Sequence, residues 1–262
     1  MKHILLPTDF SDTSNKAGAF ALRLFGAGET RYTLLNVYLK LAYRNALVAG
    51  THDTGRASRN GLRRVERRLR KQAGRVQLAL RSTFSALANA IDEVHAERPV
   101  DLVVMGTQGE GNYGLVGRNT SAAVTSATLP VIAVPAQWQP ADIDRILFAD
   151  DGQADSPESL RPLLWIAKRT GAHITVFNVG EKEVDAAQRK VLKALLHGVP
   201  HSFASAQGED VAKTLERLTV EGGVDLVAVV RRKRSFWHRL FQGSTSKRMA
   251  LHTNVPLLVL RG

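Results

Sequence analysis

A single internal duplication dictates what this chain of 262 residues can fold into. Ile4-Leu5-Leu6-Pro7-Thr8-Asp9 is echoed by Ile146-Leu147-Phe148-Ala149-Asp150-Asp151, and Tyr32-Thr33-Leu34-Leu35-Asn36-Val37 by Ile174-Thr175-Val176-Phe177-Asn178-Val179, both at an offset of 142. Val100-Asp101-Leu102-Val103 matches Val224-Asp225-Leu226-Val227 at 124, and Leu129-Pro130-Val131 matches Val255-Pro256-Leu257 at 126. Order is preserved and only loop lengths drift. The period is far longer than the ~20–50 residues of a solenoid, so the repeat means duplicated domains. The polar stretch from Gln137 to Asp142, which carries Pro140, separates expected domains at 1–138 and 143–262.

Within each half, short β-branched runs alternate with amphipathic segments, the pattern of parallel strands joined by crossover helices. In the first half this predicts strands near 2–7, 32–38, 75–81, 101–105 and 130–134, and helices near 12–26, 60–73, 84–97 and 119–128. In the second it predicts strands near 145–149, 173–179, 200–205, 225–230 and 256–260, and helices near 157–170, 184–196, 210–219 and 236–252. Right-handed crossovers favour an open doubly wound sheet, with a ligand expected beyond the carboxyl ends of its strands.

Two strand ends in the first half carry chemistry. The first strand stops at Pro7-Thr8-Asp9, where a carboxylate can accept hydrogen bonds from hydroxyls such as those of a ribose. The alternative is that Asp9 or Ser11 caps the following helix. The fourth strand runs into five glycines within residues 106–117. Glycine lets backbone N–H groups approach an anion, and a helix beginning near Asn119 adds its positive end. The loop reads as a phosphate cradle or as a flexible connection.

Ile-Leu-Leu-Pro-Thr-Asp-Phe-Ser at 4–11, Asp-Leu-Val-Val-Met-Gly at 101–106, Gly-Arg-Asn-Thr at 117–120 and Leu-Pro-Val-Ile-Ala-Val-Pro at 129–135 together resemble the universal stress protein family, over both halves of the chain. The resemblance implies two tandem Rossmann-like, HUP-like α/β domains, each an open parallel five-stranded sheet of order 3-2-1-4-5 flanked by helices. It also implies binding of ATP or AMP, mainly in the N-terminal half, with an accompanying Mg2+ left open. The implied adenosine contacts are Pro7, Thr8, Asp9, Val37, Met105 and Gly106; the implied phosphate contacts are Gly109, Gly117, Arg118, Asn119 and Thr120.

The chain departs from the family pattern in both halves. The loop between Gly109 and Gly117 is two residues short, and Arg118 stands where Ser or Thr is expected. Its guanidinium can grip a phosphate bidentately or face the surface. In the second half Asp151, Val179, Gly243 and Ser244 keep family positions as a second candidate site, but Val230 and Lys233 stand where the first half has Gly106 and Gly109. That site reads as degenerate, the alternative being an anion site built from Arg231, Arg232 and Lys233. The implied role is a cytoplasmic stress-response binder or sensor. Its rivals are a protein-interaction module that has lost nucleotide and a slow ATPase. Family domains pair through their last strands, so Val131–Val134 is expected to meet Leu257–Leu260 in an intramolecular pseudo-dimer; a homo-oligomer and a protein partner are left open.

Other chemistries lose support. The absence of cysteine excludes disulfides, thiol nucleophiles and cysteine-held metals, and fits a cytoplasmic address. No P-loop, Gly-x-Ser-x-Gly elbow, His-Glu-x-x-His helix or dinucleotide fingerprint appears. Pro200 breaks the helical face that would join His197 to His201, so no metal site is read there. No apolar run is long enough to span a bilayer. The net charge of +12 favours anionic partners, and Arg63, Arg64, Arg67, Arg68, Arg70 and Lys71 concentrate it. That cluster reads as a solvated helix face, with a nucleic-acid surface as the rival.

Overall fold

The computed structural model describes residues 1–38, 54–107, 128–150, 156–178, 186–205, 217, 223–231 and 255–262. They fall into two compact units, Met1–Ser126 and Ala127–Gly262.

The first unit runs β1 (Lys2–Pro7), α1 (Asp12–Phe25), β2 (Thr30–Val37), α2 (Thr54–Ala73), β3 (Gln77–Thr83), α3 (Leu87–Glu97) and β4 (Leu102–Gly106). Its strands lie in the order β3-β2-β1-β4, all parallel, with Leu5 opposite Thr33 on one side and Val103 on the other. β1 is buried from His3 to Pro7, as expected of a central parallel strand covered on both faces.

The second unit holds β5 (Val131–Val134), β6 (Arg145–Asp150), α4 (Pro157–Thr170), β7 (His173–Asn178), α5 (Ala186–Leu195), β8 (His201–Ser205), β9 (Leu226–Arg231) and β10 (Leu257–Arg261). The strands from β6 to β10 are parallel in the order β8-β7-β6-β9-β10, which is 3-2-1-4-5 when counted from β6. β5 then pairs antiparallel with β10, setting Ile132 opposite Leu258. That pairing covers an edge of β10 that would otherwise expose unpaired backbone groups. It also draws β5 into the second compact unit, so the units divide near 126 although the sequence repeat turns over near 138.

One repeated motif has a structural purpose. Asp101, just before β4, accepts the His3 N–H at 2.9 Å and the Lys2 ammonium at 3.0 Å. Asp225, its counterpart before β9, accepts the N–H groups of Asp144 and Arg145, each at 2.9 Å. In both repeats a carboxylate just before the fourth strand ties down the start of the first.

The helices begin where local chemistry predicts. Ser11 caps α1 by accepting the Ser14 N–H, Asp12 sits in the first turn and Gly26 closes the helix at φ 67°. α4 opens with Ser156 as cap and Pro157 in the first turn, and ends at the left-handed Gly171. α2 starts six residues earlier than the predicted position 60. Gly61 lies inside the helix, as predicted, and lets the Phe10 ring pack against it; a Cβ at 61 would stand 2.6 Å from Phe10 Cε2. The predicted helices near 119–128, 210–219 and 236–252 lie almost wholly outside the described residues.

Candidate functional site

The carboxyl ends of β1 and β4 adjoin where the strand order reverses, at the topological switch point. Continuing the register that sets Leu5 opposite Val103 brings Thr8 level with Gly106, and Asp9 level with Thr107.

The turn after β1 is tightly determined. The Thr8 N–H donates to the Leu35 carbonyl at 2.8 Å, and the Thr8 carbonyl accepts from Asn36 Nδ2 at 2.7 Å. The Thr8 hydroxyl accepts the Phe10 N–H at 3.0 Å and also bonds the Ser14 hydroxyl at 3.0 Å. Phe10 itself adopts φ 71°, a left-handed conformation that costs a bulky residue roughly 1–3 kcal/mol. Its ring, lodged against Gly61, holds it there. This strained residue immediately follows Asp9 and fixes the direction in which the carboxylate leaves the sheet.

Asp9 divides its two oxygens between structure and something else. Oδ1 accepts the Ser11 N–H at 3.1 Å and the Ser11 hydroxyl at 2.6 Å, so of the two candidate caps Ser11 caps α1 and Asp9 steadies Ser11. Oδ2 is buried and has no hydrogen-bond partner among the described residues. The same is true of Thr107 Oγ1 and of Asn15 Oδ1, in the first turn of α1. Buried polar atoms are ordinarily paired, so three orphans at one end of one sheet need a reason. Two are pure acceptors, and the Thr107 hydroxyl can give or take a proton. Hydroxyl or amino donors on a ligand would satisfy them.

Gly106 serves packing as well. A Cβ there would fall 2.7 Å from Thr13 Cγ2 and 2.9 Å from the Thr13 carbonyl carbon, so a glycine lets the first turn of α1 close onto β4. Beneath the turn, Pro7 and Met105 are buried in the core, and Val37 is half-exposed at the end of β2. The described residues thus bring together Pro7, Thr8, Asp9, Met105 and Gly106, while Gly109, Gly117, Arg118, Asn119 and Thr120 lie outside them. Thr107, Asn15 and Asn36 belong to the same place and were not singled out from the sequence. Asn36 had a signal there, since Asn178 recurs at its equivalent.

The second repeat differs at the same location. Val230 takes the place of Gly106 and is buried, and the segment joining β6 to α4 is longer than that joining β1 to α1. Asp150, the counterpart of Thr8, is 1% exposed. Burial lowers the affinity of the Arg231 guanidinium for its proton at the end of β9, and nearby Arg261 adds to the effect. Asp151, Val179, Gly243 and Ser244 lie outside the described residues. Among the described residues no cluster of His, Asp or Glu could hold a metal ion, and no helix is long and apolar enough to cross a membrane.

Parallel strands in the order 3-2-1-4, crossover helices and polar groups gathered at the switch point define a doubly wound α/β protein of the Rossmann-like, HUP-like class. A model of the universal stress protein family matches residues 1–135 and 181–261. The chain belongs to that family, as a tandem of two such domains.

Two solved structures that match nearly the whole chain agree on the fold. A universal stress protein from Archaeoglobus fulgidus DSM 4304 is similar over 99% of this chain and 96% of its own, with TM-score 0.71 and 18% identity. A putative universal stress protein from Pseudomonas aeruginosa UCBPP-PA14 covers 100% of this chain and 93% of its own, at TM-score 0.60 and 16% identity. A third, a universal stress protein solved in complex with cAMP, covers 51% of this chain and 96% of its own, at TM-score 0.38 and 24% identity. No curated protein matches the sequence.

Proposed function

We propose that the first repeat binds an adenine nucleotide, ATP or AMP, and that the protein acts as a binder or sensor in a stress response. One observation carries this reading: Asp9 Oδ2 is buried at the switch point without a partner among the described residues, in a turn held by packing around the strained Phe10. The acceptors suit the nucleoside end. Asp9 Oδ2 accepts a hydrogen bond from a ribose hydroxyl, Thr107 and Asn15 engage neighbouring polar groups, and Val37 offers apolar contact to the base. The phosphates fall to Gly109, Gly117, Arg118, Asn119 and Thr120, through backbone N–H groups and one guanidinium. Bound nucleotide would supply negative charge there, with or without Mg2+.

In the second repeat the buried Val230 fills the position that Gly106 leaves open in the first, so that half serves mainly as structure.

The test is to denature protein purified from cells and identify released small molecules by mass spectrometry, then to titrate ATP and AMP calorimetrically at fixed salt. A co-purified adenylate or a saturable one-site isotherm supports the proposal. The absence of both, up to millimolar nucleotide, overturns it and leaves the protein-interaction role.

A further inference from the structure

α2 carries eight basic residues and one acidic residue, Glu66, over its length from Thr54 to Ala73. One face is buried through Ser58, Gly61, Leu62, Val65 and Leu69. All eight basic residues lie outside that stripe and are exposed. Glu66 pairs with Arg70 at 3.0 Å, which spends the acid on a single partner. The side chains of Arg63, Arg64, Arg67, Arg68 and Lys71 have no hydrogen-bond or ion-pair partner among the described residues. Positions 63 and 67, 64 and 68, and 67 and 71 are like-charge pairs at the spacing that opposes helix formation. Asn60, Arg63, Arg64, Glu66 and Arg67 line an open groove of about 590 Å3. The face from Arg56 to Lys71 extends about 22 Å at the helical rise.

We propose that this face docks the phosphate backbone of duplex nucleic acid, without reading its sequence. Charge complementarity selects a polyanion, and side-chain chemistry selects among polyanions. Seven of the eight cations are arginine, whose planar fork matches phosphate oxygens two at a time. The exposed arc holds no large apolar side chain to sink into a lipid surface and no aromatic ring on which the bases of a single strand would stack. The buried stripe prevents the helix from entering a groove fully, so it lies along the backbone and contacts phosphates only. This reading stands apart from the nucleotide site and does not depend on it.

The test uses the full-length protein and fluorescence anisotropy of a fluorescein-labelled duplex of arbitrary sequence. If about four phosphates are neutralised, affinity falls about 150-fold between roughly 50 and 200 mM salt. The triple variant Arg63→Glu, Arg67→Glu, Arg68→Glu should lose at least ~10-fold more affinity at low salt than a control, Lys168→Glu, Lys190→Glu, Lys193→Glu, with the same change in net charge. The three arginines are exposed and have no partner among the described residues, so circular dichroism should be unchanged; Arg→Gln at the same positions is the substitute if it is not. Equal losses in the two triples overturn the proposal, as does the absence of duplex binding at low salt. Retention on phosphatidylserine vesicles without duplex binding overturns it equally.

Discussion

Replacing Asp9 with asparagine separates a ligand-binding role from a folding role. The Ser11 N–H can only donate, so the amide oxygen of the new side chain must take the Oδ1 position, preserving contacts now at 3.1 and 2.6 Å. The amide NH2 then replaces Oδ2, the buried atom with no described partner. A hydrogen bond to a charged acceptor contributes about 1.5–3 kcal/mol, and a bound hydroxyl would lose it. At about 1.4 kcal/mol per decade, nucleotide affinity should fall roughly 10- to 150-fold. Stability should change little, because the variant exchanges an orphaned buried acceptor for an orphaned buried donor, each costing about 1–3 kcal/mol. The assay pairs calorimetric titration of AMP with thermal unfolding of the free protein. Unchanged affinity refutes the reading. So does a fall in affinity matched by a fall in Tm, since Asp9 would then be holding the turn alone.

Three further substitutions probe the scaffold. Gly106→Val installs the residue of the second repeat; with Thr13 only 2.7 Å from the new Cβ, urea unfolding should show a loss of about 1–3 kcal/mol, and wild-type stability would show that α1 does not close on β4 as described. Gly61→Ala should destabilise through the Phe10 ring despite a helix-propensity gain of about 0.5–1 kcal/mol, so a net stabilisation measured by the same method would sink the packing argument. Asp225→Ala removes the acceptor of two N–H groups, and about 1–2 kcal/mol should disappear in denaturant titration, whereas no loss would mean that the carboxylate is not what fixes the start of β6.

The scaffold was legible because it rests on patterns that a sequence displays directly. Continuous apolar runs marked β1 and β4, and the duplication marked β6 and β9 by the same logic. Even Asp101 and Asp225 were visible as an echo, although their task of receiving the first strand's N–H groups emerges only from the register. The turn was less legible. Sequence alone left Asp9 open between ligand acceptor and helix-start group, and the two oxygens point to both roles, one for each. Phe10 gave no warning, since nothing in Asp-Phe-Ser announces a left-handed aromatic residue; the cause lies fifty-one positions away at Gly61.

Gly106 and Val230 show why a glycine motif cannot be assigned to ligand binding by spelling alone. Gly106 is required by Thr13 whether or not an anion ever arrives, so its retention is explained by α1 lying close to β4. In the second repeat the helix after β6 begins at Pro157, and the chain between strand and helix is two residues longer than between β1 and α1. A valine fits at 230 with 3% of its surface exposed. The close approach of helix to strand and the open glycine therefore go together, and so do the longer connection and the filled position. A Gly106→Val variant would disturb packing and ligand approach at once, whereas Asp9→Asn touches only the second. Comparing their effects on stability and affinity apportions the site between the two causes.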